Sequence, residues 1–256
     1  MTPYYDEDGV TIYHANCLDV LPTLPAVDHV ITDPPYSEHV HGKSRRGGAS
    51  APQLNGSGKP VAASFARVKE FGFPSLDADT MRLAALQIYR TSRRWALVFS
   101  DVESSHIWRE ALTEPDRLDY VRTGAWVKIG ATPQFTGDRP AVGFEAITIC
   151  HPKGRKRWNG GGSHAVWQVP IVLNRGGNDP RLHTTQKPEA LMMSLVSLFT
   201  DEGETILDPF MGSGTTLVAA KRLGRKAIGI EMNEAYCEVA AKRLSQRAFD
   251  FSEVSA

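Results

Sequence analysis

The chain has 256 residues, 29 basic and 29 acidic side chains, no formal net charge at neutral pH, and a hydrophobic fraction of 41%. That content fits one α/β domain with insertions, can build a buried core and excludes wholesale disorder. No run approaches the roughly 18 apolar residues that a bilayer span needs, and the acidic stretch Met1–Asp8 lacks the apolar centre of a secretory signal.

Taken in order, Val10–Tyr13 reads as a short strand and Leu18–Leu24 as a short helix or turn cut by Pro22 and Pro25. Val27–Thr32 is a near-continuous apolar run, the pattern of a strand buried in a parallel sheet, and it closes on Asp33-Pro34-Pro35-Tyr36. Residues 37–78 carry no clear period and are rich in Gly, Ser, Ala and basic side chains, too long for an ordinary connection. A helix is predicted over 79–93, capped by Asp77 or Asp79, then a strand over 95–99 and a helix over 102–112. Strands come next at 120–128 and 144–150, the second read as antiparallel at an edge. Residues 130–181 otherwise look irregular, with Gly160-Gly161-Gly162 and Gly176-Gly177 inside them. The last unit alternates helix 188–199, strand 204–207, helix 215–223, strand 227–230 and helix 233–247. Such alternation predicts a mostly parallel sheet covered on both faces, in a single domain over 1–256 with insertions at 37–78 and 130–181. Cys17, Cys150 and Cys237 are too few and too scattered for a disulfide framework or a metal knuckle, so reduced cysteines, no metal and a cytoplasmic location are expected.

Charge is uneven along this neutral chain. Residues 39–69 hold Lys43, Arg45, Arg46, Lys59, Arg67 and Lys69 with no acid, and Lys153, Arg155, Lys156 and Arg157 form a second cluster. Basic patches on a balanced chain suit a polyanion held on one face, although a charge run alone is more often a solvated loop.

Two turns carry the chemistry. Asp33-Pro34-Pro35-Tyr36 and Asp208-Pro209-Phe210-Met211-Gly212-Ser213-Gly214-Thr215-Thr216 each put a carboxylate and a rigid or Gly-rich turn after an apolar strand. In an open α/β sheet ligands bind outside the carboxyl ends of the strands, so one sheet carrying both turns would bring two ligands together. Gly212 and Gly214 let backbone approach a ligand, and Thr215-Thr216 open a helix whose free N–H groups face the same space. No Gly-Lys-Ser/Thr comes after the turn, which excludes a Walker phosphate loop. Glu231 ends the next strand, where an acid is placed to hydrogen-bond two ribose hydroxyls.

These turns, with Thr185-Gln186-Lys187-Pro188 upstream, resemble the β class of DNA amino-methyltransferases, in which the catalytic motif comes first and the cofactor loop last. The resemblance implies a Rossmann-like methyltransferase fold and transfer of a methyl group from S-adenosylmethionine (SAM) to a base nitrogen in double-stranded DNA. SAM carries an ammonium and a sulfonium, which suits the acid Asp208. The cofactor set implied is Asn16, Asp33, Thr185, Lys187, Asp208, Phe210, Gly212, Ser213, Gly214, Thr215, Thr216 and Glu231. Thr185 and Lys187 would meet the methionine end; alternatively, Lys187 pairs with Glu189 or Glu202. Asn16 stands where the family has an Asp for the adenine amino group, and its side-chain oxygen can still accept.

The catalytic set is Asp33, Pro34, Pro35 and Tyr36. An exocyclic amine is a poor nucleophile because its lone pair is delocalised into the ring. Acceptors on both N–H groups, Asp33 and the Pro34 carbonyl, would aim that lone pair at the methyl. The prolines fix the turn, and Tyr36 offers an aromatic face to a flipped-out base. An Asp at the first position points, by resemblance, to adenine N6; cytosine N4, where Ser is usual, is the alternative. A SAM- or DNA-binding module without turnover is the reading from another class, and a radiolabelled methyl-transfer assay separates it. Lys43, Arg45 and Arg46 are candidates for phosphate contact, and Arg155, Arg157 and Trp158 for base contact or for wedging the flipped gap; Trp158 and Trp167 are equally candidates for the core. A homodimer and a partner nuclease stay open.

Overall fold

The computed structural model describes residues 1–35, 76–131, 138–172 and 186–246. Within them the strands are β1 (Tyr5–Glu7), β2 (Val10–His14), β3 (His29–Thr32), β4 (Ala96–Ser100), β5 (Asp119–Ile129), β6 (Phe144–His151), β7 (Val166–Pro170), β8 (Thr205–Asp208) and β9 (Lys226–Glu231). The helices are α1 (Cys17–Val20), α2 (Ala78–Thr91), α3 (Ser105–Leu112), α4 (Glu189–Phe199), α5 (Thr215–Arg222) and α6 (Glu234–Ser245). All the strands join one sheet in the order β1-β2-β9-β8-β3-β4-β6-β5-β7.

The β2, β9, β8, β3 and β4 neighbours are mutually parallel, as are β5 and β7. Strands β3 and β4 are buried at every position because helices cover both faces. Alternation divides them between two cores. Ile31, Leu97, Phe99 and Ile206 face the layer of α4, α5 and α6, with Leu191, Leu195, Leu217 and Ala240. Val30, Ala96, Val98 and Leu207 face α1, α2 and α3, with Val20, Met81, Ile88 and Trp108.

Helix boundaries are set by their caps. Asp77, not Asp79, caps α2 by accepting from the Thr80 N–H at 2.7 Å. Helix α3 begins at Ser105 rather than 102 because Asp101 takes both the N–H and the hydroxyl of Ser104, at 2.7 and 2.8 Å, and holds 102–104 in a turn.

Two sequence expectations change. Strand β6 is antiparallel as read, but it is interior, between β4 and β5; the antiparallel edge is β1. Strand β7 lies in the stretch read as irregular. Its five residues end in a proline, as an edge strand can, and Trp167 at its second position is buried across Gly124 of β5. A Cβ on Gly124 would lie 2.8 Å from that indole, so this strand pair depends on the absent side chain.

The connection leaving β8 runs through α5 to β9 on one side, while the chain leaving β3 reaches β4 on the other. The carboxyl ends of β8 and β3 therefore flank a topological switch point, where open α/β sheets bind ligands.

Candidate active site

The switch point brings the two sequence turns together. Asp33 comes directly after β3, and Asp208 ends β8. Buried Thr32 donates its hydroxyl to Asp208 Oδ1 at 2.7 Å, and the Phe210 N–H donates to the same oxygen at 3.2 Å. Burial pushes the Asp208 carboxyl up to about 6, against the hydrogen bonds from Thr216, Thr32 and Phe210 that hold it down. Among the described residues no lysine or arginine forms an ion pair with it. A buried carboxylate without a protein cation favours a cationic ligand.

The glycine loop is fixed from two sides. Gly214 caps α5 with φ +78°, in the left-handed region, and a Cβ there would lie 2.7 Å from that of Ala240 on α6. Arg243 of α6 donates to the Ser213 carbonyl at 2.7 Å and to the Thr215 hydroxyl at 3.2 Å. Glu231 closes the loop's other flank, accepting from Gly212 N–H at 3.1 Å and Asn233 N–H at 2.8 Å. Burial raises the Glu231 carboxyl, while these backbone donors oppose the rise. The carboxylate still has acceptor capacity for a ligand. Asn16, two residues past β2, caps α1 by accepting from the Leu18 N–H at 3.0 Å, and the same oxygen keeps a second lone pair.

Lys187 departs from the alternative sequence reading, in which it pairs with a neighbouring acid. Among the described residues no ion pair joins it to Glu189, which pairs with Arg222, or to Glu202. Its ammonium, 5% exposed, bonds Asp33 Oδ2 and lies 3.0 Å from Glu145 Oε2. Glu145, at the start of β6, also takes Lys128 of β5 at 2.6 Å. The rings of Phe99 and Trp126 lie 5.2 and 5.8 Å from the Lys187 nitrogen. Burial alone would lower Lys187, but Asp33 and Glu145 hold it above its ordinary range. Asp33 Oδ1 is buried and has no hydrogen-bond partner among the described residues. An orphaned acceptor beside a cation-seeking carboxylate and a glycine cradle fits a SAM molecule and the amine it methylates.

Tyr36, Thr185, Lys43, Arg45 and Arg46 lie outside the described residues, as do Lys59, Arg67 and Lys69. The second basic cluster is not at this edge. Trp95, just ahead of β4, donates its indole N–H to the Arg157 carbonyl at 2.6 Å, so 151–157 cover the amino ends of the parallel strands. There Arg155 and Arg157 join Arg93, Arg94, His151 and Lys153 around a cleft of about 610 Å³, and Arg157 pairs with Asp201 at 2.7 Å. Trp158 stacks edge-on against Phe199 at 4.7 Å and donates to the Gly161 carbonyl. Arg155, Arg157 and Trp158, expected from the sequence to contact bases, thus lie at the end of the sheet opposite Asp33 and Asp208, because β6 runs antiparallel to β4. Trp167 is core.

A family model described as DNA methylase, of the N6/N4 type, matches residues 104–242. The chain belongs to this family. It is a SAM-dependent DNA amino-methyltransferase. Among curated relatives, the Type II methyltransferase M2.LlaDCHI of Lactococcus lactis subsp. cremoris is 28% identical over 96% of this chain and 93% of its own. M2.DpnII of Streptococcus pneumoniae is 29% identical over 94% and 92%. Among solved structures, the M1.HpyAVI–SAM complex superposes with a TM-score of 0.64 at 24% identity, over 93% of this methyltransferase and all of that chain. The PvuII DNA methyltransferase, cytosine-N4-specific, gives 0.69 at 15% identity over 98% and 92%. These likenesses carry the fold. Among the described residues no helix is long and apolar enough to cross a membrane.

Proposed function

We propose that this methyltransferase acts on adenine N6 in double-stranded DNA, on a base turned out of the stack. The observation that carries the reading is Asp33 Oδ1, a buried acceptor without a partner among the described residues, at the first position of the Asp-Pro-Pro-Tyr turn. Bound SAM supplies an electrophilic methyl group. Asp208 faces its positive charge, Glu231 takes the ribose hydroxyls, and Gly212–Gly214 let the loop backbone lie against it. Asp33 Oδ1 and the Pro34 carbonyl accept from the two N–H groups of the target amine, which frees its lone pair and stabilises the positive charge it gains. Tyr36 stacks on the extruded base.

A carboxylate at the position where the cytosine-N4 branch usually carries Ser supports adenine. Nucleoside analysis of DNA from cells expressing the protein should yield N6-methyladenine; N4-methylcytosine instead would overturn the choice of base. Relatives of the Type II class support a site-specific enzyme, with phosphate contact assigned to Lys43, Arg45 and Arg46 in the 37–78 insertion.

Glu231 gives a test of the cofactor half. Glu231→Ala is expected to weaken SAM by about 1–3 kcal/mol, the cost of losing hydrogen bonds to a charged group. Calorimetry on the folded variant reads this directly, and an unchanged affinity would remove Glu231 from the ribose site.

A further inference from the structure

We propose that Glu145 is a positioning residue for methyl transfer, holding the Lys187 ammonium on Asp33 Oδ2 so that Oδ1 stays open to the incoming amine. The inference rests on the reading of Asp33 as acceptor. Four charges alternate along one line, buried at its centre and half-buried at its ends, from β5 through β6 and the segment ahead of α4 to β3: Lys128, Glu145, Lys187, Asp33. Glu145 and Lys187 are each 5% exposed. Charge neutrality alone would need only Lys187 and Asp33. The second carboxylate does something else: it gives the ammonium another charge partner, 3.0 Å away, that pulls it from Asp33. Lys128 anchors the other Glu145 oxygen at 2.6 Å, and the aromatic walls of Phe99 and Trp126 limit where the ammonium can move. Without Glu145 the ammonium keeps Asp33 as its carboxylate partner, whose orphan Oδ1 then competes for it, and an oxygen already bound by lysine is lost to the substrate.

The groups that face Asp33 make the proposal readable in a pH profile. Burial raises the Asp33 carboxyl; Lys187 lowers it, Glu145 raises it and Lys128 lowers it, while Asp208 adds like charge from β8. Removing Lys187 should therefore move the acid limb of kcat/KM to higher pH, and removing the Glu145 charge should move it to lower pH.

The experiment compares Glu145→Gln, Glu145→Asp and Lys187→Met with the wild type, using a duplex oligonucleotide, labelled SAM and calorimetric SAM titration. Glu145→Gln is expected to lower kcat by about tenfold or more, a barrier increase of about 1.4 kcal/mol, to keep SAM affinity, and to shift the acid limb opposite to Lys187→Met. Glu145→Asp keeps the charge but withdraws it by one methylene, so kcat should fall with the limb unmoved; it also serves if the Gln variant does not fold. A wild-type kcat in either Glu145 variant, or acid limbs that move the same way in the Gln and Met variants, would overturn the proposal. Should Asp33→Ala itself retain turnover, the underlying reading of Asp33 fails instead, so the two failures are separate.

Discussion

Asp33→Ala is expected to abolish methyl transfer while SAM still binds. The Oδ1 atom is a preorganised acceptor in a buried site, and removing one such group from an active site costs about 10²–10³ in kcat. The fold should survive, because Glu145 remains at 3.0 Å to pair the buried Lys187. Residual turnover above about a tenth of wild type, a barrier change under about 1.4 kcal/mol, would show that another group holds the amine.

The second large effect belongs to the glycine loop. Gly214→Ala should both destabilise the protein and cripple SAM binding. An L residue at φ +78° is strained by about 1–2 kcal/mol, and a Cβ 2.7 Å from that of Ala240 forces α5 and α6 apart, an overpacking cost of about 1–3 kcal/mol. Adding Ala240→Gly should relieve the second part and leave the first, set against about 1 kcal/mol for a Gly inside α6, so the double variant should lose less than the sum of the two single losses. Thermal melts and SAM titration of the wild type, both single variants and the double variant check this; additive losses would show that the contact does not couple the two helices.

Much of this arrangement was legible because strong local signals coincide with global ones. Buried parallel strands such as β3 and β4 leave apolar runs that only a two-sided sheet can bury, and both ligand turns sit at strand ends where backbone must bend. Caps were legible as residue types but not as choices: Asp77 and Asp79 are equally good, and only the geometry of the Thr80 N–H selects the first. What the chain did not reveal were partnerships across distant segments. Lys187 has two acids within reach along the chain, Glu189 and Glu202, yet bonds Asp33 and Glu145, because β6 runs against its neighbours and starts at the catalytic edge. The same reversal explains the basic cluster at 153–157, which its charge suggested for the substrate and the fold carries to the end of the sheet opposite the catalytic turn. Arg243 gave no signal at all, since a helix-surface arginine near a terminus is ordinary until the helix is seen to lie on the glycine loop.

The position of β8 and β9 in the sheet has a consequence for biosynthesis. Strands β2 and β3 are close in sequence, yet they touch only through β8 and β9, which the ribosome delivers late. Until the segment from Thr205 onward has emerged, the growing chain has a gap in the middle of its sheet and two unpaired ladder edges facing it. Closing that gap is a long-range event, slow relative to local helix formation, and the exposed edges are where an unfinished chain would stick to its neighbours. The same closure is what sets Asp33 beside Asp208. An unfinished polypeptide therefore carries the catalytic turn without the pocket it serves, and the ability to modify a genome is withheld until translation of the cofactor segment is complete.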